Sequence, residues 1–200
     1  MSKVTSKSNN VRKLVMLSLF VAILFVFNLT GIGFIRMPWG IAITIMHIPV
    51  IIASITMGPV YGGVAGLAFG LIAMFEATFR GGAADILFSP VASGNPLGSI
   101  FLCIVPRIVL GIVAALIFRA IMRYTKNSIV SAGIAAAFAT FLHSAMVLLS
   151  LSIIFSAFPL KEVIAIIIGI NCIVEVVAAI VISVALVKPL MLMWRRMMAS

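Results

Sequence analysis

Long runs without charged residues alternate along the 200-residue chain with short clusters of basic residues. The first uncharged run covers 14–35, and the next, 37–75, is too long for one helix. A helix that crosses the hydrocarbon core needs about 20 apolar residues. The second run is broken at Gly58-Pro59, where proline cannot continue a helix. The pattern therefore predicts six membrane-spanning helices, at roughly 14–35, 41–57, 59–78, 98–121, 128–156 and 162–187.

Composition supports a chain that lies in the membrane. Hydrophobic residues make up 64% of it and charged residues 9%, whereas soluble domains carry about 25% charged residues. Only four carboxylates are present: Glu76, Asp85, Glu162 and Glu175. We therefore predict an all-α integral membrane protein, one transmembrane domain over 1–200, with no soluble catalytic or nucleotide-binding domain.

The basic residues indicate the orientation of the bundle and account for the net charge of +10. They lie at the ends of apolar runs, as membrane topology requires, so nucleic acid is not an expected partner. Six spans with an inner N-terminus place ten basic residues inside: Lys3, Lys7, Arg12, Lys13, Arg119, Arg123, Lys126, Lys188, Arg195 and Arg196. The outer loops then hold three: Arg36, Arg80 and Lys161. This bias predicts that both termini are cytoplasmic, with 1–12 as a basic N-terminal segment.

Residues 79–97 differ from the apolar runs around them. Gly, Pro, Ser and Asn accumulate there, together with Arg80 and Asp85. Long loops in compact domains are usually functional or disordered. We expect this segment to be an outer loop that closes over a site.

Polar side chains inside the spans are the candidates for that site. Ionisable residues within a membrane are unfavourable and raise a functional hypothesis. Asn171 and Glu175 are four residues apart and so share one helix face. The set predicted to bind a small molecule from the outside is Asn95, Arg107, His143, Asn171, Glu175, Arg80 and His47. The alternative is that these side chains are satisfied packing residues, or an internal pair such as Arg107–Glu175.

Small residues recur at helical spacing in two spans. Gly58, Gly62, Gly66 and Gly70 are four apart, which lets another helix approach closely. Such a stripe serves either internal packing or contact with a partner protein, and Gly62 and Gly66 are candidates for the partner contact. Ser18 and Ala22 form a shorter face of the same kind on the first helix.

Motifs for catalysis are absent from the sequence. It contains neither a G-x-x-x-x-G-K-[ST] loop for ATP nor an H-E-x-x-H pair for zinc. Cys103 and Cys172 lie in apolar segments without metal-ligand spacing. We expect no catalytic residue, metal or cofactor. A self-sufficient secondary transporter would require midplane carboxylates and repeated halves, and Glu175 is the one midplane candidate.

The strings HIPVIIASITMGPVYGGVAGLAFGL and NPLGSIFLCIVPRIVLGIVAALIFRAI, from 47 and 95 onward, resemble the S components of energy-coupling factor (ECF) vitamin transporters. The resemblance extends from about 12 to 190. It implies a multi-pass subunit of a bacterial cell membrane that binds a vitamin from outside. It also implies docking on a transmembrane coupling protein and two ATPase subunits. In that family the first helix presents an Ala-xxx-Ala face, which Ser18 and Ala22 match only as small residues.

The resemblance bears on which vitamin is bound. Riboflavin-type subunits carry Asp-Phe-Ser-Asp-Ile-Pro where this chain has Met46-His47-Ile48-Pro49, and the chain looks more like the pantothenate-type branch. Arg107 or Arg80 would then pair with the pantothenate carboxylate, while Asn95, Asn171 and His143 would bind its hydroxyl and amide groups. Folate and a hydroxymethylpyrimidine or pyridoxine-like ring stay open, and for these Glu175 would contact ring nitrogens.

Overall fold

In a computed structural model, the chain forms six α-helices over the residues that the structure describes, which are 2–36, 42–156 and 169–199. They are α1 (Ser2–Leu29), α2 (His47–Met57), α3 (Pro59–Phe79), α4 (Pro96–Thr125), α5 (Ser128–Phe155) and α6 (Ile170–Ala199). Two three-residue strands, β1 (Phe34–Arg36) and β2 (Ala42–Thr44), and one 3-10 helix (Ala83–Phe88) lie between them.

Five of the helices are long and apolar enough to cross a membrane. These candidate spans are Asn9–Leu29, Pro59–Phe79, Pro96–Thr125, Ser128–Phe155 and Cys172–Met198. The predicted all-α membrane class is confirmed, and the predicted boundaries of the third, fourth and fifth spans are within about four residues. For the sixth, predicted at 162–187, residues 162–168 lie outside the described residues, and the described helix continues to Ala199.

The second predicted span is wrong in its length. α2 has 11 residues, which at 1.5 Å per residue is about 16 Å, roughly half of the hydrocarbon thickness. The residues before it form β2, which pairs antiparallel with β1, Phe34 opposite Thr44. α1 correspondingly ends at Leu29 and not at 35, because Gly31 follows with a φ of 74°, a left-handed conformation that glycine adopts freely.

The short α2 nevertheless completes a membrane crossing together with the hairpin. Arg12 Nη1 donates a hydrogen bond of 2.7 Å to the Met197 carbonyl, so the first turns of α1 and the end of α6 lie on the same side. Gly58, which follows α2, packs beside the Arg119 side chain near the end of α4. Both termini are therefore on one side, as predicted, and the basic residues around them mark that side as cytoplasmic.

The glycine stripe of α3 packs against α4. A Cβ at Gly62 would collide with the Gly111 carbonyl, and one at Gly66 would collide with the backbone of Arg107. Ser54 Oγ of α2 donates a hydrogen bond to the same Gly111 carbonyl. The stripe thus serves packing within the chain, and these contacts give no support to Gly62 and Gly66 as a partner surface.

The outer face of α1 is exposed. Ser18 and Ala22 both lie on it, beside Leu19, which is 54% exposed. The Ser18 hydroxyl donates to the Val15 carbonyl at 2.9 Å, so its polar group is satisfied within the helix. This face is open to lipid or to another protein, as the prediction for Ser18 and Ala22 requires.

Candidate functional site

Four of the predicted site residues come together in the interior of the bundle. His47 begins α2, Arg107 lies in α4, His143 in α5 and Glu175 in α6. Their exposed fractions are 1%, 4%, 3% and 8%. We call these four residues the polar cluster. Buried ionisable groups need partners, so their contacts show what the cluster is suited to bind.

The two histidines of the polar cluster face each other. The ring centroids of His47 and His143 are 6.4 Å apart, and the planes are inclined by 22°. His143 also lies 6.0 Å from the Phe69 ring, and its Nδ1 is 3.4 Å from the Pro106 carbonyl oxygen. Neither ring nitrogen of His47 has a hydrogen-bond partner among the described residues. His47 therefore has polar atoms left over for a ligand.

Arg107 is held in place by the break that Pro106 makes in α4. Pro106 has no N–H, so the carbonyl four residues earlier, that of Leu102, loses its helical donor. Arg107 Nη1 donates to that carbonyl. The guanidinium carbon lies 5.4 Å from the centroid of the Phe69 ring and 5.5 Å from that of Phe88. One end of the guanidinium is thus fixed between two aromatic side chains.

Among the described residues, no carboxylate lies within 4.0 Å of the Arg107 guanidinium. The direct ion pair with Glu175 that was considered as an alternative is therefore not formed. Arg107 Nε has no hydrogen-bond partner among the described residues. Removing a charge from water without a partner is strongly unfavourable, and the Arg107 end of the cluster is therefore suited to an anion.

Glu175 connects the hairpin to the helices. Its Oε1 accepts a 2.8 Å hydrogen bond from the Thr44 N–H at the end of β2. Its Oε2 accepts a 2.9 Å bond from the Ser144 hydroxyl of α5. The carboxylate therefore fixes β2 over the outer part of α5 and α6.

The outer loop 79–97 covers the Arg107 end of the cluster through Phe88, the last residue of its 3-10 helix. Cys103 Sγ donates a 3.2 Å hydrogen bond to the Phe88 carbonyl, and the Ser99 hydroxyl donates a 2.7 Å bond to the Leu87 carbonyl. These contacts hold the loop against the first turns of α4.

The other predicted site residues lie apart from the cluster or outside the described side chains. Arg80 directly follows α3 and is half exposed, and its Nη1 lies 3.8 Å from Glu76 Oε2. Asn95 is exposed, and its Oδ1 caps α4 by accepting from the Gly98 N–H at 3.1 Å. Asn171 is in α6, but its side chain is not described. Their roles in binding stay predictions.

The sequence reasoning missed the residues that surround the charged groups. Phe69 and Phe88 lie over Arg107, and Thr44 and Ser144 bind Glu175. Ser144 directly follows His143, and this position could have identified it as a site residue. Nothing in the sequence distinguishes Phe69 and Phe88 from the other phenylalanines. Among the described residues, no group of three or more His, Cys, Asp or Glu is placed to hold a metal ion.

Comparison with known proteins gives two matches. The model of the family described as "ECF transporter, substrate-specific component" matches residues 12–191. The chain is also 30% identical to the Pantothenic acid transporter PanT of Lactococcus lactis subsp. cremoris (strain MG1363). That alignment spans 194 residues, 92% of this chain and 96% of the relative.

Proposed function

Because the chain belongs to the family of substrate-specific components of ECF transporters, we propose that it binds pantothenate at the polar cluster. Membership makes it a multi-pass component of a cell-membrane transporter, without a catalytic role of its own. The assignment of pantothenate as the substrate rests on the relative, which is described as a pantothenic acid transporter and aligns with nearly the whole chain.

One observation supports an anionic substrate in particular: the buried guanidinium of Arg107, whose Nε has no hydrogen-bond partner and which has no carboxylate within 4.0 Å among the described residues. Pantothenate is a carboxylate that also carries an amide and two hydroxyl groups. Its carboxylate supplies the missing negative charge and accepts charge-assisted hydrogen bonds from the free part of the guanidinium. Phe69 and Phe88 exclude water from this pair and so strengthen it.

A neutral pyrimidine or pyridoxine-like ring fits the cluster less well than an anion. For a pyrimidine or pyridoxine-like ring, the sequence suggested Glu175 as the partner of ring nitrogens. A neutral ring places no anion beside the Arg107 guanidinium, whereas the pantothenate carboxylate does.

The subunit works with partners in this proposal. It accepts pantothenate from the outer side, under the hairpin and the loop 79–97, and docks on a transmembrane coupling protein that carries two ATPase subunits. The exposed small-residue face of α1, with Ser18 and Ala22, supports docking through that helix.

Calorimetry on the detergent-purified chain tests the substrate. We expect pantothenate to bind tightly and its alcohol analogue, in which a hydroxymethyl group replaces the carboxylate, to bind about 10- to 100-fold more weakly. Arg107→Gln should weaken pantothenate by a similar factor and abolish the difference between the two ligands. Arg119→Gln, which removes an exposed arginine from the same helix, is the matched control and should bind like the parent.

Two results would contradict the proposal. Equal binding of pantothenate and its alcohol by the parent would remove Arg107 as the anion partner. Binding of a pyridoxine-like or hydroxymethylpyrimidine ligand without binding of pantothenate would replace the proposed substrate. A melting curve of Arg107→Gln shows whether the variant keeps its fold.

A further inference from the structure

Glu175 is the carboxylate of the polar cluster. Its two hydrogen-bond donors, Thr44 and Ser144, are close in the chain to His47 and His143 respectively. Two donors on two oxygens is the pattern of an ionised carboxylate. Because β2 and α5 carry these donors, the carboxylate is fixed beside the histidine rings and is not free to turn away from them.

Arg107 is the guanidinium of the polar cluster. His143 contacts the carbonyl of Pro106, the residue before Arg107, and Phe69 lies beside both the His143 ring and the guanidinium. The residue after His143, Ser144, donates to Glu175, and no ion pair joins Arg107 to Glu175 within 4.0 Å. The cluster therefore holds a cation and a carboxylate that are not directly paired with each other.

We propose that Glu175 determines specificity by setting the direction of the ligand and excluding ligands with a second anionic group. This inference rests on the proposed binding of pantothenate. That molecule has its charge at one end and two hydroxyl donors at the other, which suits a cluster that holds both a cation and a carboxylate. With the carboxylate at Arg107, the hydroxyl end faces Glu175, whose oxygens each retain a further lone pair.

The same geometry rejects pantothenate that is phosphorylated on its primary hydroxyl, or any comparable ligand with a second anionic group. Its second charge would lie beside a carboxylate that is 8% exposed, where like charges repel strongly because little water screens them. Reversing the ligand does not help, since the carboxylate would then face Glu175. A neutral substituent of similar size meets no such repulsion.

The test compares pantothenate with its phosphorylated form on the parent chain, Glu175→Gln and Glu76→Gln. Glu76→Gln is the matched control, because it removes a carboxylate that lies beside Arg80 at the end of α3. We expect the parent and the control to bind the phosphorylated ligand far more weakly than pantothenate. In Glu175→Gln, the ratio of the Kd for the phosphorylated ligand to the Kd for pantothenate should fall by about tenfold or more.

A second comparison needs no variant and so does not depend on the folding of Glu175→Gln. The dimethyl phosphate ester of this ligand keeps the carboxylate, has no charge on its phosphate and is larger, yet we expect the parent to bind it more tightly than the phosphorylated ligand. Equally weak binding of the phosphorylated ligand and its dimethyl ester would show that the site discriminates by size and not by charge. An unchanged ratio of the Kd values for the phosphorylated ligand and pantothenate in Glu175→Gln would overturn the role of Glu175. In either case pantothenate binding stands. Failure of the parent to bind pantothenate would overturn the proposed function itself.

Discussion

At the scale of single residues, Pro106 and Arg107 form a functional pair within α4. The proline frees the Leu102 carbonyl, and the arginine next to it donates to that carbonyl with Nη1. A residue that interrupts the helix therefore also anchors the cation of the site. Proline inside a helix is destabilising by about 3 kcal/mol, so its presence here is consistent with a role other than stability.

Pro106→Ala separates this role from stability. Alanine restores an N–H for the Leu102 carbonyl, so the melting temperature without ligand should be unchanged or higher. Arg107 then loses its acceptor and becomes less ordered, and we expect the Kd for pantothenate to rise about tenfold, the equivalent of one hydrogen bond. Pro189→Ala, in α6 and away from the cluster, is the control. An unchanged Kd in Pro106→Ala would show that the proline does not position Arg107.

The sequence predicted the charged and histidine members of the site, because such residues are rare inside apolar spans. It did not predict their partners. Thr44 binds Glu175 through its backbone N–H, a group that every residue except proline carries. Phe69 and Phe88 belong to an abundant residue type, so only the fold distinguishes them. The Arg107–Glu175 separation likewise depends on how α4 and α6 are placed.

At the scale of elements, the contact between α3 and α4 connects packing to the site. Gly66 lies against the backbone of Arg107, with the Arg107 carbonyl carbon 2.7 Å from the position that a Cβ would occupy. A side chain there has to push α4 away at the residue that holds the anion.

Gly66→Ala should therefore lower stability by about 1–3 kcal/mol, the usual range for overpacking, and weaken pantothenate binding. Gly63→Ala is the matched control in the same helix, since its Cβ would meet only side-chain atoms, those of Ile112 at 3.3 Å and Ile108 at 3.9 Å. Thermal unfolding in detergent and calorimetry measure both effects. Equal melting temperatures for the two variants would contradict the close contact at Gly66.

The elements were predictable where charges or a proline mark their ends, as at Gly58-Pro59. The hairpin before α2 was not predictable in this way. Residues 37–75 contain no charged residue. Hydropathy alone does not distinguish a short apolar strand from a short apolar helix. The half-length α2 therefore appeared as a full span.

At the scale of the whole molecule, the chain is one component of a transporter. Reconstituted alone in liposomes, it should bind pantothenate but accumulate none. Addition of the coupling protein and both ATPases should produce uptake that depends on ATP. The control is a complex whose ATPases carry a replacement of the lysine in the ATP-binding P-loop. Uptake by this chain alone at the rate of the full complex would identify a self-sufficient transporter.

The lack of a hydrogen-bond partner for Arg107 Nε among the described residues also has an evolutionary consequence. Replacement of Arg107 by a leucine would remove a buried charge and is expected to yield a bundle at least as stable as the parent. Selection for stability alone would therefore favour an apolar residue at this position. The arginine persists only under selection for uptake, so in a lineage that makes its own supply of the ligand this position should be among the first to drift.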